Sequence, residues 1–161
     1  MARPPRIPVW IKSGTRVVYF ITLCVKGRKQ VLTNPATFRA IVKFCEGNTN
    51  WRMSAAVIMP DHLHALVSPC VNRDQKVTQF SAGLKRSIPR NDSTSPWEWQ
   101  HGVFDRLLRR GEFTESKWFY MRENPVRARL VTRWENWPYM IGFKDVASAS
   151  GGVERRPTIP T

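Results

Sequence analysis

Two apolar runs, WRMSAAVIM at residues 51–59 and HLHALVS at residues 62–68, are separated only by Pro60 and Asp61. Both runs suit a pleated, half-buried surface, and a gap of two residues admits nothing but a tight reversal. They read as a pair of antiparallel strands, which fixes a sheet at the middle of the chain. The second run holds two of the chain's three histidines, His62 and His64, with Leu63 between them. Alternation along a strand sends both imidazoles to one face, about 7 Å apart, while Leu63, Ala65 and Val67 take the other.

The flanking sequence completes the order of elements. TRVVYFITLCV (15–25) is β-branched and aromatic, and KGRK ends it. Thr33-Asn34-Pro35 supplies a helix cap with proline at the first helical position. Phe38, Ile41, Val42 and Cys45 then recur at helical spacing, so a helix runs to about Gly47. Val77, Phe80, Ser81 and Leu84 form a second helical stripe, with Lys76, Lys85 and Arg86 on its polar remainder. PRNDSTSP (89–96) is a loop, WEWQHGVFDRLL (97–108) a further strand, and FTESKWFYMRE (113–123) a helix that stops at Asn124-Pro125. Strand, helix, strand, strand, helix, strand and a last helix make an α+β chain of the ferredoxin-like split βαβ type. It has a central antiparallel sheet and an appended C-terminal helix, and its third strand lies at the centre. A single domain over residues 1–143 is expected, beginning with a basic arm at 1–14. The small polar tail 144–161 is expected to be flexible.

Against 26 Lys and Arg stand 12 Asp and Glu, a net charge of +14 spread along the chain. A polyanion is the natural partner. Nucleic acid and an anionic membrane surface both satisfy that charge; no segment is apolar for long enough to span a bilayer, and the first residues carry no apolar core of a secretory signal, so a cytoplasmic protein is expected. Candidate phosphate contacts are Arg3 and Arg6 in the arm, Lys26, Arg28 and Lys29 after the first strand, and Lys85 and Arg86 on the second helix. Arg106, Arg109 and Arg110 in RLLRR and Arg127 near the end complete the set. Trp97, Trp99, Trp134 and Trp137 are candidates for stacking on unpaired bases, with packing expected for most of them. Cys24, Cys45 and Cys70 are far apart among apolar neighbours and read as buried, reduced thiols.

An imidazole pair on one strand face either holds a divalent cation or bonds locally, with Asp61 or a backbone carbonyl. A cation beside a basic surface fits phosphodiester chemistry, with the ion polarising the phosphate. Serine and cysteine candidates lack an adjacent base, because the remaining histidine, His101, reads equally well as a strand surface residue. Of the three tyrosines, Tyr19 alternates with Val17 and Ile21 in the first strand, and Tyr139 follows the packing segment WENWP. Tyr120 has Lys117 three residues before it and Asn124 four after it, the spacing of a shared helical face, while an aromatic beside Trp118 and Phe119 is more often a core residue. An RNA-recognition sheet would have the same architecture, but it expects an aromatic, glycine-rich third strand, which HLHALVS is not.

VIMPDHLHALV (57–67), WEWQHGVFDRLLR (97–109) and YMRENPVRARLV (120–131) together resemble the single-tyrosine transposases of the His-hydrophobic-His superfamily. The resemblance is to the branch associated with repetitive extragenic palindromes (REPs) and covers residues 15–140. It implies that His62 and His64 bind Mg²⁺ or Mn²⁺, that Asn124 is a third ligand, and that Tyr120 is the nucleophile. Asn124 would serve equally as the N-cap of a short PVRARLV helix. The resemblance further implies cleavage of single-stranded DNA to a 5′-phosphotyrosine and a free 3′-hydroxyl, with palindromic hairpins as partner and a monomer or homodimer as the acting unit. A domesticated hairpin-binding protein that no longer transfers strands is the alternative. A phenol ordinarily ionises near pH 10, so Lys117 or an arginine would have to favour the phenolate, or the metal would act on the leaving oxygen. His101 and Asp105 fall in a Q-x-x-x-F-D-like stretch that the resemblance puts near DNA.

Overall fold

The computed structural model describes residues 17–72, 74–89, 96–108 and 111–143, with 111–114 described by backbone alone. Arg3, Arg6, Arg109, Arg110, the arm 1–14 and the tail 144–161 lie outside the described residues. The elements are β1 (Val18–Cys24), α1 (Pro35–Gly47), β2 (Trp51–Ile58), β3 (His62–Pro69), α2 (Val77–Ser87), β4 (Phe104–Leu108), α3 (Gly111–Arg122), α4 (Asn124–Arg127) and β5 (Met140–Ile141). The sheet order is β4-β1-β3-β2-β5, and every pairing is antiparallel. This is the split βαβ arrangement that the order of elements predicts, with β3 at the centre. The two-residue β5 on the far side of β2 is an addition the sequence does not announce.

Local chemistry sets the elements. The Asn34 side chain accepts a hydrogen bond from the Thr37 N–H at 2.9 Å, and Pro35 follows it, so α1 starts where its cap signal stands. Between β2 and β3 the Met59 N–H donates to the His62 carbonyl at 2.8 Å, closing the reversal around Pro60 and Asp61. The Trp97–Leu108 stretch is a strand only from Phe104 onward. Gly102 takes a left-handed φ of 81°, and before it Trp99 makes a single bridge to Val25.

Each sheet face has its own core. Ile21, Leu23, Ile58, Leu63, Ala65 and Val67 are buried with Ile41 of α1 and Phe80 and Leu84 of α2. Val18, Ala55, Val57 and Leu66 face the other way, against Met121 of α3 and Trp137, Met140 and Phe143 of the last segment. With Leu63 and Leu66 both 1% exposed on opposite faces, β3 cannot slip by one residue without driving the imidazoles into the helix-covered core. A β-bulge between Met53 and Ala55 carries Ser54 out of register. Gly142, at φ 81°, closes on that bulge: a Cβ there would stand 2.1 Å from the Ser54 carbonyl oxygen. The Gly142 carbonyl accepts the Trp118 indole N–H at 3.3 Å, which ties α3 to the end of the chain.

The thiols depart from expectation. All three are free, but only Cys24 is buried, while Cys45 is half-buried and Cys70 exposed. Cys70 leaves the core because it follows the end of β3. Burial, aided by the charge of Glu46, pushes the Cys45 thiol up to about 11. Among the described residues no helix is long and apolar enough to cross a membrane.

Candidate active site

His62 and His64 lie on the sheet face that α1 and α2 leave open, their ring centroids 4.8 Å apart. His62 Nδ1 stands 2.6 Å from Asp61 Oδ1, and Arg28 Nε donates to Asp61 Oδ2 at 2.8 Å. Burial would raise the Asp61 carboxyl, but the His62 hydrogen bond and the charges of His62 and Arg28 outweigh it and hold it below its usual value. The guanidinium reaches back because Gly27 and Arg28 turn through left-handed backbone, φ 68° and 57°. Its Nη1 also donates to Cys24 Sγ at 3.2 Å.

His64 is 8% exposed. Its Nδ1 lies 2.8 Å from Thr22 Oγ1, and its ring stacks on Phe20 at 5.2 Å. Burial, then the nearby charges of His62, Lys117, Arg127 and Arg28, pull its pKa down to about 3. The ring is therefore neutral, as a metal ligand must be. With the proton on Nδ1, each imidazole donates to its partner, Asp61 or Thr22, and keeps Nε2 to offer to a ligand.

Tyr120 arrives from a different element. It sits near the end of α3, 48% exposed, between Trp118, which packs on Phe143, and Met121, which is fully buried. Its ring centroid is 6.2 Å from that of His64. Lys117 Nζ stands 5.3 Å from the centre of the Tyr120 ring, and the Arg127 guanidinium 4.2 Å from it. Arg127 also donates to the Tyr120 carbonyl. Arg122, held among the rings of Trp118, Phe119 and Trp134, fixes the end of the helix.

Asn124 does not share a continuous helix with Tyr120. Pro125 has no N–H to extend the ladder, so α3 ends at Arg122 and α4 begins at Asn124. Asn124 does not cap α4 either: Glu123 precedes that helix, and no side chain caps it. Its amide instead points at the histidines, with Nδ2 3.5 Å from His62 Nε2. Among the described residues no three His, Cys, Asp or Glu side chains gather around a metal position. The donor set here is two imidazoles and, with the amide turned over, one carbonyl oxygen. That set would be a partial shell for a divalent cation, leaving the remaining positions to phosphate oxygens and water.

A REP-associated tyrosine transposase bound to a REP hairpin superposes with a TM-score of 0.67 at 20% identity, over 87% of this chain and 82% of that one. The fold is that of a REP-associated tyrosine transposase. A candidate transposase from Deinococcus radiodurans R1 aligns over 74% of this chain and 95% of its own, with a TM-score of 0.48 and 15% identity. No family model and no curated protein matches the chain.

Within this transposase fold the basic residues divide. Arg28 and Arg127 border the site directly. Lys26, paired with Glu98 at 3.3 Å, and Lys29, donating to the Pro96 carbonyl at 3.1 Å, follow the end of β1 where Cys24 pairs with His62. Arg106 lies opposite Phe20 on the site face of β4. Lys85 and Arg86 belong to α2, on the opposite face of the sheet. Lys85 Nζ donates to the Gln100 and Gly102 carbonyls at 2.9 and 2.6 Å, and burial lowers its pKa. It fastens the 96–103 segment, a role its charge alone does not reveal. The tryptophans serve packing: Trp97 and Trp137 are buried, Trp99 donates to the Lys85 carbonyl, and Trp134 covers Arg122. Asp105 pairs with Ile21 on the helix-covered face, away from the imidazoles, and His101 is exposed before β4. Phe20 and Thr22 are site residues that sequence reasoning misses, because only the β1–β3 register reveals Thr22 opposite His64.

Proposed function

We propose that the chain is a metal-dependent DNA transposase that binds palindromic hairpins of the REP type and cuts and rejoins single strands through Tyr120. The observation that carries this reading is the delivery of an exposed phenol to within 6.2 Å, ring to ring, of a buried neutral imidazole whose partner histidine faces Asn124. The hairpin in the superposed transposase supports the choice of nucleic acid, and the net charge of +14 supports a polyanion.

In this mechanism the Tyr120 oxygen attacks phosphorus, its proton leaves to solvent or a nearby base, and the P–O3′ bond breaks as the departing O3′ takes a proton from solvent. The products are a 5′-phosphotyrosine and a free 3′-hydroxyl. The ester conserves the bond energy, so a second 3′-hydroxyl can displace the phenol and rejoin strands without ATP. Lys117 and Arg127, over the Tyr120 ring, would set positive charge where the scissile phosphate must come. His62, His64 and Asn124 would hold Mg²⁺ or Mn²⁺, which supplies Lewis-acid polarisation of the scissile phosphate when bound. Asp61 and Thr22 keep the two imidazoles oriented.

The test is a labelled palindromic oligonucleotide incubated with the protein and Mg²⁺ or Mn²⁺, then run on a denaturing gel. The wild-type chain should give a covalently shifted band. Tyr120→Phe should lose the band and keep hairpin binding. A covalent adduct that survives Tyr120→Phe would dismiss Tyr120 as nucleophile, and binding without any adduct would leave a hairpin-binding protein.

A further inference from the structure

The face that carries the histidines continues onto β4, the edge strand. There Phe104 leaves 62% of its surface exposed, whereas Leu108, on the same strand face, is 6% exposed. The Cα partner of Phe104 is Thr22, and Thr22 Oγ1 lies 2.8 Å from His64 Nδ1. Phe104, Thr22 and His64 thus form one row across three strands, which puts Phe104 roughly 10 Å from the imidazole pair at the usual strand spacing. In the next row the exposed Arg106 pairs with Phe20, whose ring centre lies 4.9 Å from Lys117 Nζ.

A phenylalanine so exposed adds little to the core, and this one shares its end of the sheet face with Thr22, His64 and Arg106. Resting on the DNA-cleavage reading above, we infer that Phe104 is a stacking platform for an unpaired base flanking the scissile phosphate, with Arg106 taking the adjacent backbone phosphate. Cationic neighbours suit the sugar-phosphate chain, and the bare ring suits the π face that every base presents. The platform holds the strand across the row that leads to His64, and so sets which phosphate reaches Tyr120. It positions the strand without reading its sequence.

The test measures binding without metal, in a Tyr120→Phe background, by anisotropy of two labelled hairpins, one with single-stranded flanks and one blunt. Phe104→Ala should weaken the flanked hairpin by about 5- to 100-fold and leave the blunt one unchanged. Phe104→Trp, which keeps a π face, should retain the wild-type affinity. One abasic flank position should cost the parent about as much as Phe104→Ala does and cost Phe104→Ala nothing further. Melting curves check that both variants fold. An unchanged flanked affinity, or equal losses on both hairpins, overturns the platform and leaves the Tyr120 assignment standing. A flank-specific loss together with no covalent adduct from the wild-type chain would keep the platform and sink the cleavage reading. Failure of the parent protein to bind either hairpin would sink both.

Discussion

Asp61→Asn isolates the device that orients His62. The substitution keeps the shape of the side chain and its oxygen near His62 Nδ1, but it removes the charge that now holds His62 at 2.6 Å and Arg28 at 2.8 Å. A hydrogen bond to a charged group contributes about 1.5–3 kcal/mol, and a neutral one about 0.5–1.5. The Asp61 side chain is 22% exposed, so solvent screens part of the difference. About 1–2 kcal/mol should be lost from the form in which Nε2 of His62 faces a cation, which is roughly 5- to 30-fold in metal affinity. That range overlaps the 10- to 100-fold usual for partners of ligating histidines. Free Mn²⁺ measured by electron paramagnetic resonance gives the affinity, and the gel assay gives adduct formation against Mn²⁺ concentration. The variant should need more Mn²⁺ for half-maximal adduct and approach the wild-type yield at saturation. Unchanged Mn²⁺ affinity, or activity lost equally at every concentration, would refute the claim that Asp61 acts through His62 on the cation.

Four further outcomes follow from the packing and the charges. Gly142→Ala forces a Cβ onto the Ser54 carbonyl at a left-handed φ; urea unfolding should show a loss of roughly 3 kcal/mol or more, with a parallel fall in adduct formation as α3 loses its tie through Trp118. Leu63→Ala opens a cavity under α1 and α2 and should cost about 2–5 kcal/mol by the same measurement. Lys85→Ala removes two hydrogen bonds to carbonyls and should lower stability by about 1–2 kcal/mol, the partial exposure of the ammonium limiting the figure. Affinity for single-stranded DNA should fall with salt at a slope near −0.7 per contacted phosphate; Arg127→Ala should reduce that slope by about 0.7, and Lys85→Ala should leave it unchanged.

The fold was legible in the sequence because its signals are local. A two-residue reversal, a cap followed by proline and two helical stripes each act within a few residues, and together they admit few topologies. The alternation in HLHALV also told which face would carry the imidazoles. What stayed hidden depends on register and on long-range contact. Thr22 is an ordinary strand threonine until β1 is laid against β3, and Lys85 looks like a phosphate contact until the 96–103 segment folds over it. Asn124 was ambiguous for a related reason: an asparagine before proline signals a cap, but here the chain turns one residue earlier, at Glu123, and frees the amide to face His62. The two-residue β5 has too little sequence to announce itself.

Packing separates Tyr120 from the other two tyrosines. Tyr19 is 5% exposed and rests on Trp51, with ring centroids 5.9 Å apart. Tyr139 is wedged between Phe38 and Trp137. Either ring would have to leave a packed environment to meet a phosphate, and burying an aromatic ring contributes on the order of 2 kcal/mol or more. Tyr120 has no such anchor to give up. Trp118 and Met121 hold α3 down on either side of it, so the helix stays fixed while this phenol stands half in solvent beside His64. A nucleophile that remains esterified to DNA between cleavage and rejoining needs both properties at once: a rigid backbone beneath it and open space above it.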